Sequence, residues 1–400
     1  MQISSNLAGR IQFLTADLQS LEKSETTPVK AVFDETVIDF FDALSKELMH
    51  DARSRQYSDV IAYAFWVRKA SLQKVKESFT AKTKLGRGVA FHIAPSNVPI
   101  NFAVSMTSSL LAGNVSIVRV SNKDFEQVKI VTEALNKVLE TESFSLIKDY
   151  IIVVRYDRDK EVNDFLSSIC DVRIVWGGNA TVGELRLSPI PPRAIEMTFP
   201  DRYSIALINS DEYLNSDKKI VAQNFYIDTY FTDQNACSSP RLVVWTGNKV
   251  KEAQDCFYKE LKALLNEKYQ FSPILAIDKL NAFCELAIAH RGVKKIAEDN
   301  VLVRVELTEI FDDLMNFKLG GGYFFDYATN DLNSIVKILK KPCQTISYFG
   351  IDPQKIKDLV VNNGVRGVDR IVPLGKTMEL EFYWDGYNMI DAMSRYLDLL

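Results

Sequence analysis

The sequence predicts an α/β protein in which a doubly wound parallel-sheet domain is followed by a second α/β unit. Three observations carry that expectation. The segments Val89–Ala94, Val115–Val120, Ile151–Val154 and Val172–Trp176 are predominantly apolar runs, as strands covered on both faces are. Between two of them Val128, Val131, Leu135, Val138 and Leu139 recur at helical spacing, which gives the strand, helix, strand order that parallel crossovers require. The alternation then resumes beyond Tyr203 with a second set of strands and helices.

The first 85 residues read as helices and connections, with Val37, Phe40, Phe41, Leu44 and Leu48 on one helical face. They form a packing layer. Pro99 fits the first turn of an apolar helix from about Ile100 to Leu111, and Asn97 its start. Tyr203–Ile208 is a further strand, followed by a helix from about Ser216 to Tyr230. Then come a polar loop, the strand Leu242–Trp245, a helix burying Ala253, Phe257, Leu261, Leu264 and Leu265, and a strand at Val301–Val305. The implied domains are 1–205, 206–375 and a tail, 376–400, that packs on the first domain or on a partner subunit.

At 400 residues and 47% hydrophobic content the chain is long enough for more than one core. Its 48 basic and 52 acidic residues leave a net charge of -4, which provides no basic field for nucleic acid or an anionic membrane. The N-terminus lacks a basic stretch followed by an apolar one, and 18 consecutive apolar residues occur nowhere, so the sequence reads as soluble and cytoplasmic. Five cysteines, without a C-x-x-C pair or a His at ligand spacing, indicate neither a disulfide framework nor a metal site.

Cys237 differs from Cys170, Cys256, Cys284 and Cys343, which read as small hydrophobes in strands, helices or turns. It lies in Asp233-Gln234-Asn235-Ala236-Cys237-Ser238-Ser239-Pro240-Arg241, where small and polar neighbours leave room for a substrate at the mouth of a strand. A nucleophile and a structural thiol both fit. Asn97, in Ala94-Pro95-Ser96-Asn97-Val98-Pro99, is either a helix cap or an oxyanion donor; capping is the simpler reading of the residue alone. Arg119, Ser121 and Asn122 follow one strand, and Gly177, Gly178, Asn179 and Thr181 another, at the edge where a doubly wound sheet binds nucleotides. The glycine pair permits close backbone approach but is also common without ligands. Gly320-Gly321-Gly322 reads as a sharp turn or hinge.

These blocks, taken in order, resemble the aldehyde dehydrogenase superfamily. Gly367-Val368-Asp369-Arg370-Ile371-Val372-Pro373-Leu374-Gly375-Lys376, then Trp384-Asp385-Gly386-Tyr387 and Ser394-Arg395, together with Cys343-Gln344-Thr345, resemble more closely its fatty acyl-CoA reductase branch, the LuxC family of bacterial luminescence operons. The resemblance implies an aldehyde dehydrogenase-like fold, with an NADP-binding domain and a catalytic domain carrying the Cys loop. It makes Cys237 the nucleophile and Asn97 the oxyanion donor. It implies reduction of a fatty acyl thioester, acyl-CoA or carrier-bound, to the aldehyde, and it favours an acyl-transferring synthetase partner and a homo-oligomer. Where the superfamily's cofactor strand ends in Lys-Pro-Ser-Glu, this chain has Arg119-Val120-Ser121-Asn122. Loss of the acid that would repel a 2′-phosphate, with retention of a cation, favours NADPH over NADH. Glu196 lies near the superfamily's water-activating Glu without the following glycines, and is either that residue or structural. Glu309, in Glu309-Ile310-Phe311, resembles a segment that contacts the nicotinamide ribose. Oxidative aldehyde dehydrogenation, acyl-phosphate reduction and a non-catalytic partner subunit remain as alternatives.

Overall fold

The structure, a computed structural model, describes residues 3–79, 83–297 and 299–398. The chain forms two compact units: residues up to Pro200 with those from Leu380 onward, and Asp201–Glu379. The divisions thus fall a few residues from those read in the sequence, at 205 and 375. Tyr203 already belongs to a strand whose partners are all in the second unit. At the other end, buried Asp228 of the second unit accepts hydrogen bonds from Gly375 N (2.7 Å), Thr377 N (3.0 Å) and Thr377 Oγ1 (2.9 Å).

In the first unit, α1 (Glu35–His50) starts at Asp34, whose carboxylate accepts from Thr36 N, and buries the predicted stripe of Val37, Phe40, Phe41, Leu44 and Leu48. The elements that build, cover or lead into its main sheet are, in chain order, β1 (Gln12–Phe13), β2 (Lys84–Gly86), β3 (Val89–Ile93), α2 (Asn101–Leu111), β4 (Val115–Arg119), α3 (Glu126–Leu139), β5 (Ile151–Arg155), α4 (Lys160–Ser168), β6 (Val172–Trp176), α5 (Asn179–Leu185) and β7 (Ile195–Phe199), among further short helices and strands. The six-stranded sheet has the order β1-β5-β4-β3-β6-β7, with only β1 antiparallel. Strands are added first on one side of β3 and then on the other. In such a sheet the carboxyl edge beside the reversal is where ligands bind. Residues from Leu380 onward return to this unit: Phe382 stacks on Trp66 at 4.5 Å, and Met389, Ile390 and Met393 join the core. The strand Ser394–Tyr396 pairs antiparallel with β2.

The second unit contains β8 (Tyr203–Asn209), α6 (Lys218–Asp228), β9 (Pro240–Thr246), α7 (Val250–Lys268), α8 (Ile274–Ala289), β10 (Val293–Ala297), β11 (Val303–Leu307), β12 (Tyr323–Ala328), β13 (Cys343–Phe349), α9 (Pro353–Asn362) and β14 (Arg370–Pro373). Its seven-stranded sheet runs β10-β11-β12-β9-β8-β13-β14, with only β10 antiparallel. An aromatic cluster of Phe225, Trp245, Phe257 and Phe324 fills one face, and Leu207, Leu242, Val305, Phe325 and Ile346 belong to the core on the other. Because β9 begins at Pro240, the Cys237 loop enters the sheet at its amino edge.

Candidate active site

Cys237 is half-buried, whereas Cys170 and Cys343 are buried in the core and burial pushes both of those thiols up to about 12. Cys256 lies within α7 and Cys284 is exposed on α8. The Cys237 carbonyl accepts from Ser204 Oγ at 2.8 Å, and the same hydroxyl accepts from Thr345 N at 3.2 Å, so the base of the loop is tied to β8 and β13.

The loop's shape is set upstream. Asp233 and Gln234 are both left-handed, with φ of 51° and 56°, a conformation that costs a residue with a Cβ about 1–3 kcal/mol. Gln234 offsets that cost with a fully buried side-chain amide used at both ends. Its Nε2 donates to Pro240 O (2.8 Å) and Tyr323 O (3.2 Å), and its Oε1 accepts from Gly322 N (2.9 Å) and Tyr323 N (3.2 Å). Gly321 N also donates to Asp233 O at 2.8 Å. The three glycines are therefore the strip against which the Cys loop is stapled. A Cβ on Gly322 would lie 2.3 Å from Tyr230 Oη and from Val301 O, so the chain can approach only as glycine. Gln234 and the glycines lie far apart in sequence, and the tie between them is a tertiary contact.

Arg241, the second residue of β9, is 8% exposed, and its Nη1 donates to Leu319 O at 2.7 Å. Burial lowers its pKa to about 10, and the ionised form of Cys237 nearby opposes that shift, so at neutral pH the guanidinium stays protonated within electrostatic reach of the sulfur. A neighbouring cation favours thiolate over thiol. Arg241→Gln is expected to raise the Cys237 pKa and slow iodoacetamide alkylation at pH 7 by about threefold to tenfold, with the rate recovering at higher pH. An unchanged pH profile of alkylation would leave Arg241 with loop packing alone.

In the first unit the carboxyl edge gathers most of the predicted cofactor residues. Arg119 ends β4 beside Tyr156, its Nη2 donating to Tyr156 O at 3.3 Å, and its buried Nε has no partner among the described residues. Ser121 Oγ accepts from Lys123 N at 3.2 Å. Asn122 donates to the carboxylate of Asp157, which follows β5. An acid thus stands beside residue 122 from the loop that follows the neighbouring strand, a pairing invisible in sequence. Gly177 and Gly178 follow β6, and Asn179 and Thr181 open α5. A Cβ at Gly177 would sit 3.0 Å from the Thr181 methyl, so the tight turn itself explains that glycine. Asn97 lies exposed on the loop after β3, beside the reversal of strand order. It is not the cap of α2, which begins at Asn101 with Ile100 as N-cap residue and no side-chain cap.

Two predicted positions are placed elsewhere. Glu196, in β7, accepts from Arg173 Nε (2.9 Å) and Arg186 Nε (2.7 Å). Burial alone would raise its pKa, but these hydrogen bonds outweigh it and hold the carboxyl below its ordinary range. A carboxylate tied to two guanidiniums is a structural hub, and the structural alternative is the one the geometry favours. Glu309 follows the carboxyl end of β11, which runs parallel to β12 and through it to β9. It therefore lies at the opposite sheet edge from the Cys237 loop, roughly 17 Å away by the rise of a five-residue strand. The turn before β12, not the Glu309 segment, meets the Cys loop. Among the described residues no group of three His, Cys, Asp or Glu side chains is placed to hold a metal ion, and no helix is long and apolar enough to cross a membrane.

A family model described as acyl-CoA reductase (LuxC) matches residues 10–396. Similar curated proteins are a long-chain acyl-protein thioester reductase of Aliivibrio fischeri, 24% identical over 301 residues, and one of Photorhabdus laumondii, 23% identical over 298. Each match covers 72% of this chain and 58% of the relative, so the chain spans little more than half the length of those proteins. Among solved structures, glyceraldehyde-3-phosphate dehydrogenase GapN from Methanocaldococcus jannaschii, complexed with NADP, superposes with a TM-score of 0.67 at 13% identity, covering 99% of this chain and 94% of that one. Aldehyde dehydrogenase 21 from Physcomitrella patens gives 0.66 at 12% identity, covering 94% and 88%. At such identity the likeness shows the fold, which is that of the aldehyde dehydrogenases.

Proposed function

We propose, for a chain that belongs to the acyl-CoA reductase (LuxC) family, that it reduces an acyl thioester to the aldehyde through an acyl group carried on Cys237, with NADPH as reductant. The observation that carries this reading is the Cys237 loop, a half-buried thiol near a buried guanidinium, at the end of a segment held in strained conformation by Gln234. The thiolate attacks the thioester carbonyl, the C–S bond to the donor breaks, and the donor leaves as a thiolate that takes its proton from solvent. NADPH when bound supplies the hydride that takes the acyl carbon to the aldehyde level. Cys237 then departs as thiolate, the form that Arg241 favours, and is ready for another acyl group.

Asn97 is assigned the oxyanion on the resemblance of its segment, and loss of capping as an alternative adds to that assignment. Asn97→Ala is expected to lower kcat by about a hundred- to a thousandfold. A variant with unchanged turnover would remove the role. Glu196, engaged by two arginines, is a poor candidate for activating water, which weighs against oxidative release of an acid.

The carboxyl edge of the first unit fits a phosphate-bearing dinucleotide through Arg119, whose buried Nε lacks a partner among the described residues, together with Ser121 and Asn122. Asp157 opposes a 2′-phosphate from the same place. Asp157→Asn is therefore expected to raise the ratio of kcat/KM for NADPH over NADH several-fold, and Arg119→Gln to lower it. Equal efficiencies with both cofactors in the unmodified protein would defeat the NADPH assignment. The names of the relatives favour an acyl-protein donor over acyl-CoA, and a synthetase partner and a homo-oligomer belong to the same proposal. The decisive test is intact-mass analysis after exposure to long-chain acyl-CoA or an acyl-protein without NADPH. An acyl adduct mapped to Cys237 is expected. NADPH-dependent aldehyde formation with no adduct at Cys237 would reject the covalent route, and neither adduct nor reduction with any donor would reject the function.

A further inference from the structure

The opposite edge of the first unit's sheet carries a feature that the proposed reaction does not use. A cavity of about 290 Å³ is lined by Arg87, Asp171, Arg193 and Arg395. Arg87 lies in the turn between β2 and β3, Asp171 immediately before β6, and Arg193 shortly before β7. Arg395 comes from the returning strand, paired with Leu85 of β2. One of the four belongs to a motif singled out in the sequence, Ser394-Arg395, and the fold brings it beside Arg87 from the far end of the chain.

Three arginines and one aspartate line the cavity, and the carboxylate is already engaged. Asp171 Oδ2 accepts from Val89 N at 2.8 Å, and it lies where a Cβ on Gly88 would be, 1.9 Å from that position. The arginines stand on fixed supports. Arg87 N donates to Asn114 Oδ1 at 2.7 Å and its Nε to Ala392 O at 3.1 Å, which leaves its terminal nitrogens. Arg193 follows Pro191-Pro192 in a turn closed by Ala194 N donating to Pro191 O at 2.9 Å. Among the described residues neither Arg193 nor Arg395 has a hydrogen-bond or ion-pair partner.

We propose that this cavity is an anion site for a phosphoryl group, separate from the edge that carries Asn97 and Arg119. Planar guanidinium forks match the oxygens of a phosphate bidentately, and several converging forks select a dianion over chloride. The volume falls just below the roughly 300–1,000 Å³ of pockets that enclose whole ligands, so it admits a phosphate or diphosphate group with any larger remainder outside. The site lies at the amino ends of β3, β6 and β7, a five-residue strand or roughly 17 Å from their carboxyl ends. A phosphate here takes no part in acyl transfer; it ties the strand Ser394–Tyr396 to the turn before β7.

The test is calorimetric titration of the full chain at constant ionic strength, saturated with NADPH so that the carboxyl edge is filled. The probes are inorganic phosphate, pyrophosphate and adenosine 3′,5′-bisphosphate. Binding at one site is expected, weakened at least about tenfold by Arg193→Ala with Arg395→Ala and less by the matching lysine variants, which keep charge and lose the fork. Both arginine side chains are exposed, so the melting temperature without ligand should not move. Amide exchange at 394–396 should slow when the probe binds. Equal affinity for phosphate and the bisphosphate identifies free phosphate as the ligand, and tighter bisphosphate binding identifies a phosphoryl group on a larger molecule. No binding of any probe, or binding that survives the double alanine variant, would overturn the proposal.

Discussion

Cys237→Ala is expected to fold as the parent does and to lose at least about a thousandfold in thioester reduction, because no other group takes over when a covalent nucleophile is removed. The other cysteines are poor substitutes: Cys170 and Cys343 are buried thiols with pKa values pushed up to about 12, Cys256 lies in α7, and Cys284 is exposed on α8. The substitution removes a half-buried side chain from a loop whose conformation is fixed by other residues, so the urea midpoint should stay within the ordinary range of surface changes. Turnover of the alanine variant at a tenth of the parent rate or more would show that acyl transfer bypasses Cys237.

Gln234→Ala should lose both stability and activity. It deletes four hydrogen bonds made by a fully buried amide and leaves the carbonyls of Pro240 and Tyr323 and the N–H groups of Gly322 and Tyr323 without it. Unmet buried polar groups cost about 1–3 kcal/mol each, so a loss on the order of 3 kcal/mol or more is expected after partial relaxation. Two left-handed residues without their tether should also relax toward ordinary backbone, displacing Cys237 and lowering kcat more than affinity. Gln234→Glu separates the two halves of the tether: it still accepts from Gly322 and Tyr323 but cannot donate to Pro240 and Tyr323 as an ionised carboxylate. An alanine variant with the parent's urea midpoint and kcat would refute this role.

The parts of the fold that were legible in sequence were those where one physical pattern dominates. Strands β3 to β6 are apolar because both faces are covered, and the stripe of α1 is apolar on the side it buries. β7 was not legible, since Glu196 and Thr198 interrupt its apolar residues and the glutamate is accommodated only by Arg173 and Arg186. The Cys237 loop stood out in sequence by its small and polar neighbours. Its supports did not, because Gln234 reaches Tyr323 and Ser204 reaches Cys237 across the sheet rather than along the chain. Glu309 shows a further limit: a local motif carries no information on strand direction, and direction is what sets it at the far edge from the Cys loop. Asp157 illustrates the same point in reverse, since it reaches Asn122 from the loop after a neighbouring strand.

The departure of the chain from the first unit at Pro200 and its return at Leu380 bear on how the protein is made. During translation the first 200 residues emerge without Phe382, Met389, Ile390 and Met393, which complete their core, and without the strand that pairs with β2. At about 5–20 residues per second the second unit is synthesised in the intervening ten to forty seconds. The nascent first unit therefore waits with apolar surface around Phe33 and Trp66 uncovered, and closes only after the second unit is complete. A chain that stops anywhere beyond Pro200 and before Leu380 leaves the same surface open.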